Sequence, residues 1–183
     1  MTTQALLVMD VQLAVVHRYP DPAYLPRLAE AVAAARASGI PVIYPIVGFR
    51  PGYPEVSTRN KMFGRLVGSP AVAGMEQAMA IHPDVAPEPG DIIVTKRRVS
   101  AFAGSDLELV LRAGEIDHLV LTGIATSGVV LSTLRQASDL DFTLTVLADG
   151  CLDNDPQVHQ VLTEKVFPQQ ADVTTVADWA AAR

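Results

Sequence analysis

HLVLTGIATSGVVLSTLRQA, residues 118–137, decides how this chain folds. Its first part is an apolar run of Leu and Val, the composition of a parallel strand covered on both faces. Gly123 breaks the run, and from Thr126 onward the residues read as a helix. A strand that passes through a short turn into a helix is half of a βαβ unit. Two further apolar runs end in charge: LLVMD closes at Asp10 and DIIVTK at Lys96. In a parallel α/β sheet the carboxyl ends of the strands share one edge, and ligands bind there. A carboxylate, an amine and a helix start are therefore expected together on one edge.

Outward from these three runs, strand-like and helix-like segments alternate. Strands are expected at 6–10, 41–47, 91–95, 118–123, 142–147 and 172–176, and helices at 22–38, 105–113, 126–138 and 155–167. Gly39 closes the first long helix and Pro41 stops it. Pro45 lies inside an expected strand, so it should fall at the strand's end or at an unpaired position. The alternation gives an α/β fold with a parallel, doubly wound sheet, and 183 residues suit one domain over 1–183. The stretch 48–89 is too long for an ordinary connection of ~4–6 residues. It holds PGYPEVSTRNKMFG and an expected short helix near 71–80. Leaving a strand's carboxyl end, it is a lid or pocket wall, or else a surface insertion or subunit contact.

Composition narrows the function classes. Hydrophobic residues are 49 % and charged residues 19 %, enough for a full core. The net charge of -6 offers no basic stripe, so nucleic acid is not an expected partner. Arg59-Asn60-Lys61 and Lys96-Arg97-Arg98 are short clusters that suit a small anionic ligand better. The single cysteine, Cys151, cannot form an intrachain disulfide, which agrees with a reducing compartment. The first residues lack a basic leader, and no apolar run reaches the ~20 residues of a membrane helix. The expectation is a cytoplasmic protein with no membrane partner.

Asp10 reads as a site carboxylate, with a helix cap or salt bridge as the plain alternative, and Gln12 could orient it or hold a water. Lys96 could lower an acid's pKa or stabilise an oxyanion. Alternation along a strand would send Lys96 and Arg98 one way and Arg97 the other. The 123–129 turn could bind an anion on free N–H groups. Ser127 reads as a helix cap or substrate contact ahead of nucleophile. Ala125, Phe102 and Arg50 complete the expected substrate-binding set. His17, His82, His118 and His159 are scattered, with no metal spacing, so neither metal nor cofactor is expected. Cys151 reads as a small packed residue beside a turn.

Taken together, LLVMDVQ, SGIPVIY, VTKRRVSAF with SDLELVLR, LTGIATSGVVLSTLRQASDLDF and ADGCLDNDPQVHQ resemble the isochorismatase-like hydrolases. These include nicotinamidases, carbamoylsarcosine amidases and isochorismatases, and the resemblance covers nearly the whole chain. It implies a Rossmann-like three-layer α/β/α fold with a six-stranded parallel sheet. It implies a homo-oligomer and, in the amidase members, a catalytic Asp–Lys–Cys triad. Asp10 and Lys96 match the first two members. The family's Gly-x-x-Thr-x-x-Cys-Val motif aligns with Gly123, Thr126 and Val130, which puts Val129 at the position of the cysteine. A cis peptide would map to Ile124–Ala125, and the amides of Ala125 and Val129 to an oxyanion hole. The nicotinamidase Asp-x-His metal motif is absent.

A thioester cannot form without a thiol. Isochorismatases in this family lack the cysteine too and cleave a vinyl ether by proton transfer and water addition. The first reading is thus a hydrolase of a small carboxylated molecule, with Asp10 as acid or base and no cysteine nucleophile. The second is a pseudoenzyme or small-molecule binding module on the same fold. A third is an amidase that uses Ser127 or Cys151.

Overall fold

Residues 3–68 and 75–183 are described by the computed structural model. Among these residues six strands form one sheet: β1 Gln4–Met9, β2 Val42–Val47, β3 Ile92–Lys96, β4 His118–Ile124, β5 Thr143–Leu152 and β6 Asp172–Thr174; the first five α-helices are α1 Leu13–Val16, α2 Tyr24–Ala37, α3 Met75–Ala78, α4 Leu107–Ala113 and α5 Leu131–Asp139. Their order is β3-β2-β1-β4-β5-β6, and every neighbouring pair is parallel. Strand order reverses between β1 and β4, so the ligand crevice is expected at their carboxyl ends.

Alternation along β1 explains the layers. Leu7 and Met9 join one apolar cluster, while Leu6 and Val8 join the other. The first cluster takes Leu107 and Leu111 from α4 (Leu107–Ala113), Leu134 and Ala137 from α5 (Leu131–Asp139), and Phe167. The second takes Leu28, Ala31, Val32 and Ala35 from α2 (Tyr24–Ala37), and Val176 and Trp179 from the C-terminal helix Val176–Ala181. Leu6 and Leu7 are fully buried, on opposite faces. Each such side chain contributes about 1.5–3 kcal/mol by burial. A one-residue slip of β1 would exchange the two faces, so its register is fixed.

All six expected strands are present, with ends displaced by one or two residues except at the end of β5. β5 runs to Leu152, five residues past the expected end, after a register shift between Leu121 and Gly123 on its partner β4. Pro45 sits opposite Val94 in β2, and its carbonyl accepts the Asp10 N–H at 2.9 Å. Its missing N–H therefore faces β1, past the last registered pair at Leu7 and Ile43, an unpaired position as expected. The expected helix 155–167 is instead a helix at Pro156–Val161, a wider turn at Leu162–Val166 and a tight turn at Phe167–Gln169. Pro168, lacking an N–H, cannot continue an α-helix there. The short helix at Leu13–Val16 and the C-terminal one had no place in the sequence reading. Of the helix expected near 71–80, Met75–Ala78 is helical, and residues 71–74 lie outside the described residues.

The 48–89 excursion returns to the same edge it leaves. Residue Ile81 forms an antiparallel bridge with Gln12, and the Leu13 and His82 amides donate to Ala80 and Val11 carbonyls. No helix among the described residues is long and apolar enough to cross a membrane.

Candidate active site

Asp10 is the first residue past β1, and its backbone is left-handed, with φ at 55°. Asp tolerates that conformation better than most residues, and non-glycine examples concentrate at functional sites. The bend turns the carboxylate across the sheet edge. Oδ2 meets Lys96 Nζ at 2.8 Å, and Oδ1 accepts the Val47 N–H at 2.9 Å. Asp10 is 7 % exposed and Lys96 1 %. Burial pushes the Asp10 carboxyl above its ordinary range, against the opposing pull of Lys96 and of the Val47 N–H. The pair that the sequence places at two strand ends is thus a buried ion pair between β1 and β3, spanning β2.

Gln12 is fully buried, and its amide is committed to backbone. Nε2 donates to the Val47 and Met79 carbonyls, and Oε1 accepts the Val47 N–H. It braces β2 and the returning excursion; the structure gives its amide backbone partners where the sequence reading expected a substrate or water.

The turn after β4 contains the cis peptide Ile124–Ala125 expected from the resemblance. Gly123 has φ at 139°, and a Cβ there would stand 2.3 Å from the Met9 carbonyl oxygen. Only glycine lets β4 approach the end of β1 so closely. Beyond it, residues Thr126–Val130 form a wide turn kinked at Gly128 before α5 begins. Gly128 and Val130 N–H groups both donate to the Ala125 carbonyl. Val129 is 2 % exposed and belongs to the apolar cluster with Met9, Phe102 and Cys151.

Ser127 does not cap this helix. Its N–H donates to Asp153 Oδ2 at 2.7 Å, so a carboxylate from the segment after β5 covers the helix start. Thr126 Oγ1 and His159 Nδ1 are 2.8 Å apart, a second tie to the same segment. Burial lowers the His159 pKa, partly offset by Asp153. The anion site expected on these amides is thus partly occupied by the chain's own Asp153. Neither Asp153 nor His159 was singled out from sequence as a partner of the turn. Asp153 also acts on Tyr19, whose phenol is held above its ordinary range by burial first, then by Asp153, with a smaller push from Asp10.

Phe102 is buried and packs on Phe142, ring centroids 6.0 Å apart. The Arg50 side chain is 63 % exposed and lies 3.5 Å from Glu55. Arg97 and Arg98 lie past the end of β3, which closes at Lys96. Both reach the excursion: Arg97 donates to the Gly48 carbonyl and Arg98 to the Glu55 carbonyl. These guanidiniums, expected to suit an anionic ligand, are taken up by backbone. The lone thiol, Cys151, is buried, and burial pushes its pKa far up. A cavity of about 370 Å³ lies over the end of β5, lined by Asp21, Arg27, Asp149, Asp153 and His159 among others. Among the described residues no three His, Cys, Asp or Glu side chains are grouped to hold a metal ion.

Comparison with known proteins agrees with this geometry. Residues 4–178 match the isochorismatase domain. The chain is 35 % identical over 179 residues to the ureidoacrylate amidohydrolase RutB of Stutzerimonas stutzeri, covering 85 % of this chain and 72 % of the relative. It spans 58 % to 73 % of the length of several such amidohydrolases. It is 32 % identical to the uncharacterised isochorismatase family protein YecD of Escherichia coli O157:H7, over 96 % of this chain and 94 % of that one. An isochorismatase family protein of Burkholderia thailandensis superposes with a TM-score of 0.86 at 30 % identity, over 98 % of this chain and 95 % of the other. Fold and sequence agree, and the chain belongs to the isochorismatase family of hydrolases.

Proposed function

We propose that this protein hydrolyses a small carboxylated molecule without a cysteine nucleophile, with Asp10 moving the proton. The supporting observation is the buried Asp10–Lys96 pair at 2.8 Å, beside a turn whose family register gives Val129 where a thiol would stand. A carboxyl held above its ordinary range by burial keeps its proton nearer neutral pH, which suits a general acid. Asp10 would give that proton to the substrate and take one back from the attacking water. Water would supply the new C–O bond, and the leaving group would depart protonated. Lys96 would balance the carboxylate while it is ionised. Asp10 would act alike on a vinyl ether and on the amide of an ureido acid, the substrate class in the name of the RutB relatives.

A second reading is a binding module that retains the pocket and no longer turns over. Its support is the burial of Val129 within the main apolar cluster, which leaves no thiol at the turn. The enzyme reading also takes the protein as cytoplasmic and homo-oligomeric, with a small-molecule substrate. Met62 on the excursion is 59 % exposed, and Phe49 stacks against Tyr53 and Phe63 close by, an apolar surface that suits a second copy.

The test is turnover of purified protein with isochorismate and with ureidoacrylate, beside Asp10→Asn. Asn also tolerates the left-handed backbone of position 10, so the fold is kept. Loss of the acid group should lower the rate ~10²–10⁴-fold. Full activity in that variant would remove Asp10 from the chemistry, and no turnover of either compound by the parent favours the binding module.

A further inference from the structure

An ammonium has three protons to donate. Two on Lys96 are assigned: one to Asp10 Oδ2 at 2.8 Å and one to the Arg98 carbonyl at 2.9 Å. Tetrahedral geometry then fixes the direction of the third. What sets the Arg98 carbonyl therefore sets where Lys96 can point a proton.

Arg98 lies in the turn between β3 and α4, and that turn is held from two sides. On one side Ser100 Oγ donates to Gln136 at 2.7 Å, and the Ala101 N–H donates to Thr133 Oγ1 at 2.9 Å, both on α5. On the other side stands the excursion. Arg98 Nη2 donates to the Glu55 carbonyl and Nη1 to the Arg97 carbonyl, each at 2.6 Å. Arg97 adds a bond to the Gly48 carbonyl at 2.6 Å, and its Nε lies 3.5 Å from the Glu55 carboxylate. The close of the turn leaves no slack: Gly104 has φ at 72°, and a Cβ there would sit 2.9 Å from Arg97 Cβ.

We propose that Arg98 is a positioning residue for Lys96: its guanidinium forks onto the Glu55 and Arg97 carbonyls while its own carbonyl takes a Lys96 proton, so that docking of the excursion and aim of the lysine are one adjustment. The inference rests on the reading of Asp10 and Lys96 as the reacting pair. A planar fork is needed, because two carbonyls must be met at once in fixed directions. A lysine at 98 would carry the charge without the fork.

The experiment is a pH titration of the Asp10 carboxyl by NMR in protein labelled with ¹³C at aspartate carboxyls, the signal identified by its loss in Asp10→Asn. Arg98→Ala should loosen the hold of Lys96 on Asp10 and raise the midpoint by ~0.5–1 pH unit, a fraction of the 1–3 units an adjacent cation supplies. Arg98→Lys should raise it as well. Arg59→Ala, which removes an exposed excursion charge, should leave it where it is in the parent. Loss of packing alone would not move this midpoint while the rest of the spectrum is unchanged. An unchanged or lowered midpoint in folded Arg98→Ala overturns the proposal, and so does a parental midpoint in Arg98→Lys, which also serves if the alanine variant fails to fold. A parental midpoint within the ordinary carboxylate range would instead overturn the acid role of Asp10, while the difference between parent and variant still tests the fork.

Discussion

The two flanks of the sheet's carboxyl edge are built by opposite means. On the β3 flank, charge is buried and aimed: Lys96 and Asp10 meet in the interior, and backbone groups of Val47 and Arg98 fix each of them. On the β4 flank, backbone polarity is covered: Asp153 takes the Ser127 N–H, and Thr126 Oγ1 shares a hydrogen bond with His159 Nδ1. One flank spends its hydrogen bonds on orienting two ionised groups. The other spends them on holding a turn in shape, and in doing so sets a negative charge against the helix start. A site with a thiolate would want that helix start bare, since exposed N–H groups lower a thiol's pKa. A site that works through Asp10 has no such need.

The charged flank breaks most sharply at Lys96. Lys96→Met leaves Asp10 buried beside a side chain of similar length with no charge. Removing one partner of a buried pair costs about 3–5 kcal/mol, to be read by urea denaturation at pH 7. The pH dependence has a definite sign. The folded Asp10 pKa is already above its unfolded value and rises further without Lys96. The folded state then binds more protons than the unfolded one, and stability is lost as pH rises through the folded pKa. The deficit of Lys96→Met should therefore shrink as pH is lowered from 7 toward 4. A deficit equal at both pH values would mean that Asp10 is not the group left unpaired.

The joint between the flanks comes next. Gly123→Ala puts a methyl group 2.3 Å from the Met9 carbonyl, in a backbone region that alanine disfavours. Overpacking of this kind costs about 1–3 kcal/mol, and the left-handed φ adds to it. A thermal midpoint within a degree of the parent would show that β1 and β4 can move apart freely.

The smallest effect sharpens the comparison best. Val129→Cys should be alkylated by iodoacetamide faster than Cys151, whose thiol is buried and held protonated. Adding Asp153→Asn should speed labelling at residue 129 by about 2–5-fold, the size of a 0.3–1 kcal/mol charge effect at a helix start. Peptide mapping gives both rates. A residue 129 that stays unlabelled in folded protein would show that its side chain faces only the core, against the register used for the cysteine position.

How far the sequence reached follows the same division. Asp10 and Lys96 were legible because each ends an apolar run, and a charge closing a buried strand has few plain explanations. The β4 turn was legible through Gly123, whose close approach to Met9 is what the break in the run encodes. The partners of these groups were not. Glu55, Asp153 and His159 lie 26 to 43 residues in sequence from the groups they hold, and nothing local marks one Asp or Glu among 20 as a clamp. Gln12 is legible by its place beside Asp10, with which it shares the Val47 N–H, but Met79 is not, since it reaches Gln12 only because the excursion returns. Arg97 and Arg98 looked like free charge because a run of basic residues does not show which backbone carbonyls lie within its reach.

Burial of Lys96 also gives the molecule a chemical clock. The chain has three lysines, Lys61, Lys96 and Lys165, and two of them are exposed. An amine-acylating reagent should mark those two at once. The third amine, 1 % exposed and held by a carboxylate and a carbonyl, can be acylated only when β3 parts from the excursion. Peptide mapping at residue 96 would follow that mark as it accumulates, separately from the α-amine and the two exposed lysines, so the opening of this edge can be timed with no substrate in hand.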